Sequence, residues 1–205
     1  MTHISTNRGG IYRVLDHPFV YRLNRFVVAP GAVGDLRRVV RRVAEQVPVG
    51  GRVLDVACGP ESWLESAGVE VVGADLMEGY VRHFVGRGRK GVVAAADALP
   101  FADGSFESVW TMALLHHLPD EMVRRTVEQM RRVCRPGGLI VVLDGVFPGR
   151  VWHNPFAYAV RAADRGQFMR SAESLVQLLP GAGWQSERFQ VAWTRLPFVC
   201  CTCRK

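Results

Sequence analysis

Four aspartates and one histidine pair carry the residue types and spacings that could do chemistry: Asp55, Asp75, Asp97 and Asp144, with His116 and His117. Each acid stands at the carboxyl end of an apolar run, where open α/β sheets bind ligands. Asp75 follows Asp55 by twenty residues. That interval suits a strand–turn–helix–strand unit whose second acid accepts hydrogen bonds from ribose hydroxyls. A diol needs an acceptor pair, which one carboxylate supplies. Histidine suits proton removal near neutral pH, and Asp144 is a second candidate base or acceptor ligand. Each acid has a plainer alternative as a helix cap or turn former, which is the preferred reading of Asp120. For either histidine alone the alternative is packing beneath its loop.

The elements that must position these groups alternate between strand and helix periods. RVLDVACGP, residues 52–60, reads as a short buried strand running into a tight turn of small residues, Ala57, Cys58 and Gly59. Further strands are expected over 69–74, 92–96, 106–112 and 139–143. Helices are expected over 35–47 with Asp35 as cap, over 77–85, from Asp120 to about 134, and from Ser171 to 179. Strands alternating with helices mean a mostly parallel sheet. Residues 184–194 and 198–204 finish the chain as a hairpin-like pair at the sheet edge, with Pro197 in the turn. Two segments break the rhythm. An aromatic and arginine-rich stretch over 11–28 includes Tyr12 and Tyr21, with a helix start near Asp16 and Pro18. An insertion over 146–170 carries Trp152, a short helix from about Pro155 to Asp164 with Tyr158, and Arg161, Arg165 and Arg170. Both are expected to fold over the cleft: residues 1–50 as a helical lid and 146–170 as a cover for an acceptor site. The aromatics would line that site, and the arginines would meet either an anionic acceptor or solvent.

At 205 residues the chain has the length of one domain. The net charge is +7, yet only two of 26 basic residues are lysines. That bias does not define a phosphate-binding face, and no nucleic-acid signature accompanies it. No stretch is apolar enough to span a bilayer, and the amino terminus lacks an apolar signal core, so a cytoplasmic setting is expected. Five cysteines make no disulfide framework. Cys200, Cys201 and Cys203 lack the paired spacing of a zinc site, so no metal is expected.

The ordered pieces VLDVACG, VVGADL, AAADALPFADGSFESVW, LLHHLP and RRVCRPGGLIVV, spanning 52–143, resemble the class I S-adenosylmethionine-dependent methyltransferases, in particular those acting on quinones, sterols, sugars and other metabolites. The resemblance implies a doubly wound, mostly parallel seven-stranded sheet with helices on both faces and an antiparallel last strand. It implies S-adenosylmethionine as cofactor and a small-molecule acceptor methylated at oxygen, nitrogen or carbon. Asp55, Ala57, Cys58 and Gly59 would hold the methionine part. Asp75 would bind the ribose with Leu76 beside the adenine, Asp97 and Ala98 would meet the adenine edge, and Thr111 and Met112 would line the sulfonium side. His116, His117 and Asp144 are the candidate bases. The family pattern has glycine at the positions of Ala57 and Glu61. An acid at 61 would either cap the short helix that follows or crowd the cofactor's carboxylate.

Three other readings compare with this one, the first of them a poor fit. A nicotinamide dehydrogenase lacks its G-x-G-x-x-G turn and its Tyr-x-x-x-Lys pair. A cofactor-binding scaffold with a degenerate pocket is motivated by Ala57 and Glu61. A membrane-associated methyltransferase acting on lipid or quinone would use the arginine-rich amino-terminal helices.

Overall fold

The chain is described by a computed structural model over residues 31–148, 154–163 and 167–205. The 11–28 stretch with Tyr12 and Tyr21, and Trp152, Asp164 and Arg165, lie outside the described residues. Helix α1 spans Ala32–Ala44 and buries Leu36, Val40 and Val43 on one face. Its cap is Gly31, with φ 75, rather than Asp35, which accepts the Ala192 N–H at 2.8 Å from within the first turn. Strand β1 is Val53–Val56, β2 is Val71–Asp75, and helix α2, Glu78–Gly86, leads to β3, Lys90–Val93. Strand β4 is Phe106–Met112, followed by a 3-10 turn at Leu115–His117 and helix α3, Asp120–Val133. Strand β5 runs Cys134–Gly145 and helix α4 Pro155–Ala163. Helix α5, Ala172–Leu178, and strands β6, Gln185–Gln190, and β7, Pro197–Arg204, complete the order.

The seven strands lie in the order β3-β2-β1-β4-β5-β7-β6. Neighbours from β3 to β5 pair in parallel, whereas β7 is antiparallel to both β5 and β6. The strand order reverses between β1 and β4, which opens a crevice at their carboxyl ends. Two buried clusters cover the two faces of the sheet. Leu54, Val56, Val109, Ile140 and Val142 pack with Val123, Val127 and Met130 of α3 and Leu175 and Leu178 of α5. Val53, Trp110, Val141 and Leu143 pack with Leu36, Val40 and Val43 of α1 and Phe84 of α2. The alternation of strand side chains thus assigns each helix its layer.

Three expectations need correction. The connection between β1 and β2 is a 3-10 helix, Trp63–Ala67, capped by Ser62 and closed by Gly68 at φ 73. The segment is too short for a longer helix. The strand expected over 139–143 is longer, Cys134–Gly145, with residues 135–138 as a bulge within it, where Phe106 faces Cys134 but Ser108 already faces Leu139. The final pair is the expected hairpin at the sheet edge, β6 on the border and β7 between it and β5, but Pro197 is the first residue of β7 rather than part of the turn. Cys200 and Cys201 face opposite clusters, as a strand buried on both sides requires. The border strand β6 is exposed and charged at Glu187 and Arg188, which discourages edge-to-edge pairing.

Candidate active site

Ends of β1 and β2 meet at the crevice through backbone turns that small residues permit. The N–H groups of Ala57 and Cys58 both donate to the Ala74 carbonyl, at 2.7 and 3.2 Å. The turn takes Ala57 to φ 61 and Gly59 to φ 64, while Ala113 after β4 takes φ 54. A left-handed alanine costs about 1–2 kcal/mol, against about 0.5–1 kcal/mol for the extra freedom that glycine loses on folding. Ala57→Gly is therefore expected to raise stability by about 0.5–1 kcal/mol, visible as a higher urea midpoint at unchanged slope. A lower midpoint would show that the alanine methyl has packing value greater than its strain.

Asp75 is buried, accepting the Gly59 N–H at 2.9 Å on Oδ2 and the Met77 N–H at 2.8 Å on Oδ1. Two carboxylate oxygens offer about four acceptor positions, so a pair remains for a diol. Asp55 is also buried; its Oδ2 accepts the Ser62 hydroxyl at 2.6 Å, and its Oδ1 has no partner among the described residues. An orphaned buried acceptor beside a turn of small residues fits a ligand carrying a cationic amine, as the methionine part of S-adenosylmethionine does. Ser62 is the site residue that sequence reasoning missed; its capping position before the 3-10 turn was the available signal.

Burial pushes Asp55 up to about 7, against the Ser62 hydrogen bond. Burial also raises Asp75, opposed by the Met77 and Gly59 N–H groups. An acid raised in the folded state contributes stability below its ordinary value near 3.8 and loses it as pH rises through the folded value. The ligand-free chain should therefore lose stability between about pH 4 and pH 7, by at most about 1.4 kcal/mol per pH unit from Asp55. Thermal melts at pH 5 and pH 8 test this: Asp55→Asn should flatten the fall, and equal slopes in both chains would refute it.

The remaining cofactor candidates are placed as follows. Leu76 is exposed. Asp97 is paired with Arg125 of α3 at 2.8 Å, and Ala98 lies in the adjoining turn, its N–H donating to Ala95. Thr111 donates its hydroxyl to the Val56 carbonyl at 2.9 Å, tying β4 to β1. Met112 is buried in the α1-side cluster with Cys58. Cys58 fills the space over Gly73, where a Cβ would stand 2.5 Å from its sulfur, and burial holds its thiol protonated. Glu61 points its charge at Arg87, 2.6 Å away at the end of α2; Arg87 also reaches Glu65 at 3.2 Å. The acid at the third-glycine position is thereby countered from within the chain.

The candidate bases converge. Asp144, at the end of β5, accepts the His116 ring Nδ1 at 2.5 Å and the Gly145 N–H at 2.7 Å on Oδ1. Its Oδ2 accepts the Leu115 and His116 N–H groups at 2.6 and 3.2 Å. Burial works to raise Asp144, but the His116 charge and hydrogen bond and the Gly145 N–H outweigh it and hold the carboxyl below its ordinary range. His116 is buried, while His117 is exposed with its ring centroid 4.0 Å from that of His116. An ionised carboxylate on Nδ1 fixes the tautomer and stabilises the imidazolium, so proton exchange falls to Nε2.

The insertion docks beside this dyad. Asn154 caps α4 by accepting the Ala157 N–H. Arg161 is buried rather than solvated: it donates to the Pro197 carbonyl at 2.8 Å and stacks 4.5 Å over Phe198. A Cβ on Gly145 would stand 2.7 Å from the Arg161 guanidinium, so a side chain there would have to displace the guanidinium from the Pro197 carbonyl and the Phe198 ring. Tyr158 lies 5.5 Å, centroid to centroid, from Phe147, just past the dyad. A hollow of about 390 Å³ lined by Phe156, Trp193 and Thr194 adjoins the other end of α4, roughly 10 Å along the helix from Arg161. Among the described residues no His, Cys, Asp and Glu group converges as a metal site.

Residues 54–142 match the family model described as a methyltransferase domain. Demethylmenaquinone methyltransferase of Paenarthrobacter aurescens is 32% identical over 182 residues, covering 75% of this chain and 70% of that protein. The chain belongs to the class I S-adenosylmethionine-dependent methyltransferases. Methyltransferase GfsG of Streptomyces halstedii is 33% identical over 58% of this chain, and the match spans 49% of its length. Among solved structures, the Burkholderia thailandensis 1,6-didemethyltoxoflavin-N1-methyltransferase, with bound 1,6-didemethyltoxoflavin and S-adenosylhomocysteine, superposes with a TM-score of 0.65 at 20% identity. That superposition covers 95% of this chain and 88% of the other. The fold of this methyltransferase is thus shared well beyond the matched motifs. Among the described residues, no helix is long and apolar enough to cross a membrane.

Proposed function

We propose that this methyltransferase transfers a methyl group to a small molecule whose attacking oxygen, nitrogen or carbon must give up a proton. The carrying observation is the Asp144–His116 dyad at the same carboxyl edge of the sheet as Asp55 and Asp75. When bound, S-adenosylmethionine supplies an electrophilic methyl on a sulfonium. Asp75 would hold its ribose diol, and Asp55 with the Ala57–Gly59 turn would hold its methionine part. His116 takes the acceptor proton at Nε2 while Asp144 stabilises the resulting charge. In this reading His117 is an exposed neighbour at the mouth of the site, and the aromatic pair Phe147 and Tyr158 belongs to the acceptor wall, as part of the cover formed by 146–170. The names of the relatives, one a demethylmenaquinone methyltransferase, support ring-bearing hydroxylated acceptors as the first to try.

A membrane-docking version is not part of this reading. On α1 Arg38 pairs with Asp35, Arg42 with Glu187 at 2.5 Å, and Arg41 donates to the Ser66 carbonyl. The acids beside Arg38 and Arg42 offset two of that helix's positive charges. A cytoplasmic setting is kept in the reading, supported by five cysteines that are all unbridged.

The test is methyl transfer from labelled S-adenosylmethionine to a panel of phenols, hydroquinones, hydroxylated macrolides and amines, with release of S-adenosylhomocysteine as readout. Turnover on any of them, lost in His116→Asn, supports the proposal. Absence of S-adenosylmethionine binding at millimolar concentration by calorimetry would end it.

A further inference from the structure

We infer that Arg170 is a positioning residue for the histidine base, locking the Leu115–Leu118 turn so that His116 meets Asp144 in a single orientation. The inference rests on His116 being the base. The 3-10 turn has little to hold itself: His117 N–H donates to Leu114 and Leu118 N–H to Leu115, at 2.9 and 3.1 Å. Three residues of such geometry do not fix a side chain. The orientation must come from outside.

It comes from two sides. From the sheet, Asp144 takes the Leu115 and His116 N–H groups. From the opposite side, residues 168–170, where the chain returns from the insertion, take the carbonyls. The Arg170 guanidinium donates through Nη1 to the Leu115 carbonyl at 3.0 Å and the Phe168 carbonyl at 2.8 Å. Through Nη2 it donates to the Leu118 carbonyl at 2.7 Å and to Asp120 Oδ1 at 2.6 Å, and through Nε to the same Oδ1 at 2.9 Å. The Phe168 N–H donates to the His116 carbonyl at 3.0 Å, and the Phe147 N–H to the Arg170 carbonyl at 2.9 Å. The arginine side chain is only 10% exposed. Its contacts join both ends of the turn, the start of α3 and the residues just past Asp144.

A planar fork can reach two carbonyls and a carboxylate at once, which a lysine ammonium cannot do in the same geometry. Arg170→Lys keeps the charge and loses the fork. The turn would then be held only by Asp144 and the single Phe168 N–H, and a misplaced base lowers the rate without altering the cofactor crevice.

The experiment compares Arg170→Ala and Arg170→Lys with the parent chain. Circular dichroism checks the fold, calorimetry the S-adenosylmethionine Kd, and S-adenosylhomocysteine release the kcat. Proton NMR of the ligand-free protein reads the low-field His116 Nδ1 resonance, assigned by its loss in His116→Asn. Expected are a Kd within about twofold, a kcat lower by about tenfold or more, and a shifted or broadened Nδ1 resonance. If Arg170→Ala does not fold, Arg170→Lys carries the same readouts. An unchanged resonance overturns the inference, whether kcat is unchanged or lost; loss with an unchanged resonance would instead put Arg170 on the acceptor. Failure of the underlying reading looks different: His116→Asn would keep full turnover, whatever the Arg170 variants do.

Discussion

Asp75→Ala is expected to weaken S-adenosylmethionine binding by about a hundredfold or more, measured by isothermal titration calorimetry. Hydrogen bonds to a charged group contribute about 1.5–3 kcal/mol each, and a ribose diol makes two of them. Their loss alone corresponds to about 3–6 kcal/mol, or roughly two to four decades in Kd. The substitution also strands the Gly59 and Met77 N–H groups that Asp75 accepts, which loosens the turn facing the ligand. Asp75→Asn separates the two contributions. The amide keeps one acceptor oxygen but sets an NH2 against one of the two N–H donors, so its Kd should fall between parent and alanine. Retention of parental affinity in the alanine chain would remove Asp75 from the ribose site.

His116→Asn should lower kcat by about 10²–10⁴, the range of general-base contributions, while leaving the S-adenosylmethionine Kd within about twofold. Asp144→Asn should be as damaging to turnover and worse for stability. The carboxylate accepts four donors: three backbone N–H groups and the His116 ring. An amide would face some of them with its own NH2, at a cost on the order of 2–4 kcal/mol. The sign with pH follows from the depressed folded-state value. Asp144's contribution is present at neutral pH and is lost as pH falls below the ordinary carboxylate range, so parent and Asp144→Asn should converge in stability on acidification. A His116→Asn chain with parental kcat would reassign the base; His117, adjacent and exposed, would be next to substitute.

How much of this was legible depended on whether a role was written locally. The meeting of Asp55, the small turn and Asp75 at one strand edge could be read because strand, turn and acid lie within one short stretch. The apolar stripes of α1 and α3 were equally readable from their spacing. Caps were less so. Asp35 and Gly31 both suit a helix start, and the contact that draws Asp35 away, the Ala192 N–H, comes from 157 residues downstream. The position of β7 depended on pairing with β5, which turn residues near Pro197 do not encode, although cysteines facing both layers hint at an interior strand. The histidine pair and Asp144 were each visible as candidates, but not their partnership, since 28 residues and a helix separate them. Arg161 and Arg170 were misread for a related reason. A guanidinium in sequence looks solvated until the carbonyls and aromatic ring that surround it are brought in from elsewhere.

The cysteines of the sheet have a practical consequence. Cys58 and Cys200 lie in the α1-side layer, Cys134 and Cys201 in the α3-side layer, and all are buried and unbridged. Burial pushes Cys134 and Cys200 up to about 11 and Cys201 to about 12, so alkylation at neutral pH waits on local opening. The protein thus carries two native sets of tracers, one per layer. The order in which a mass label accumulates on them records which side of the sheet breathes first, without an engineered cysteine.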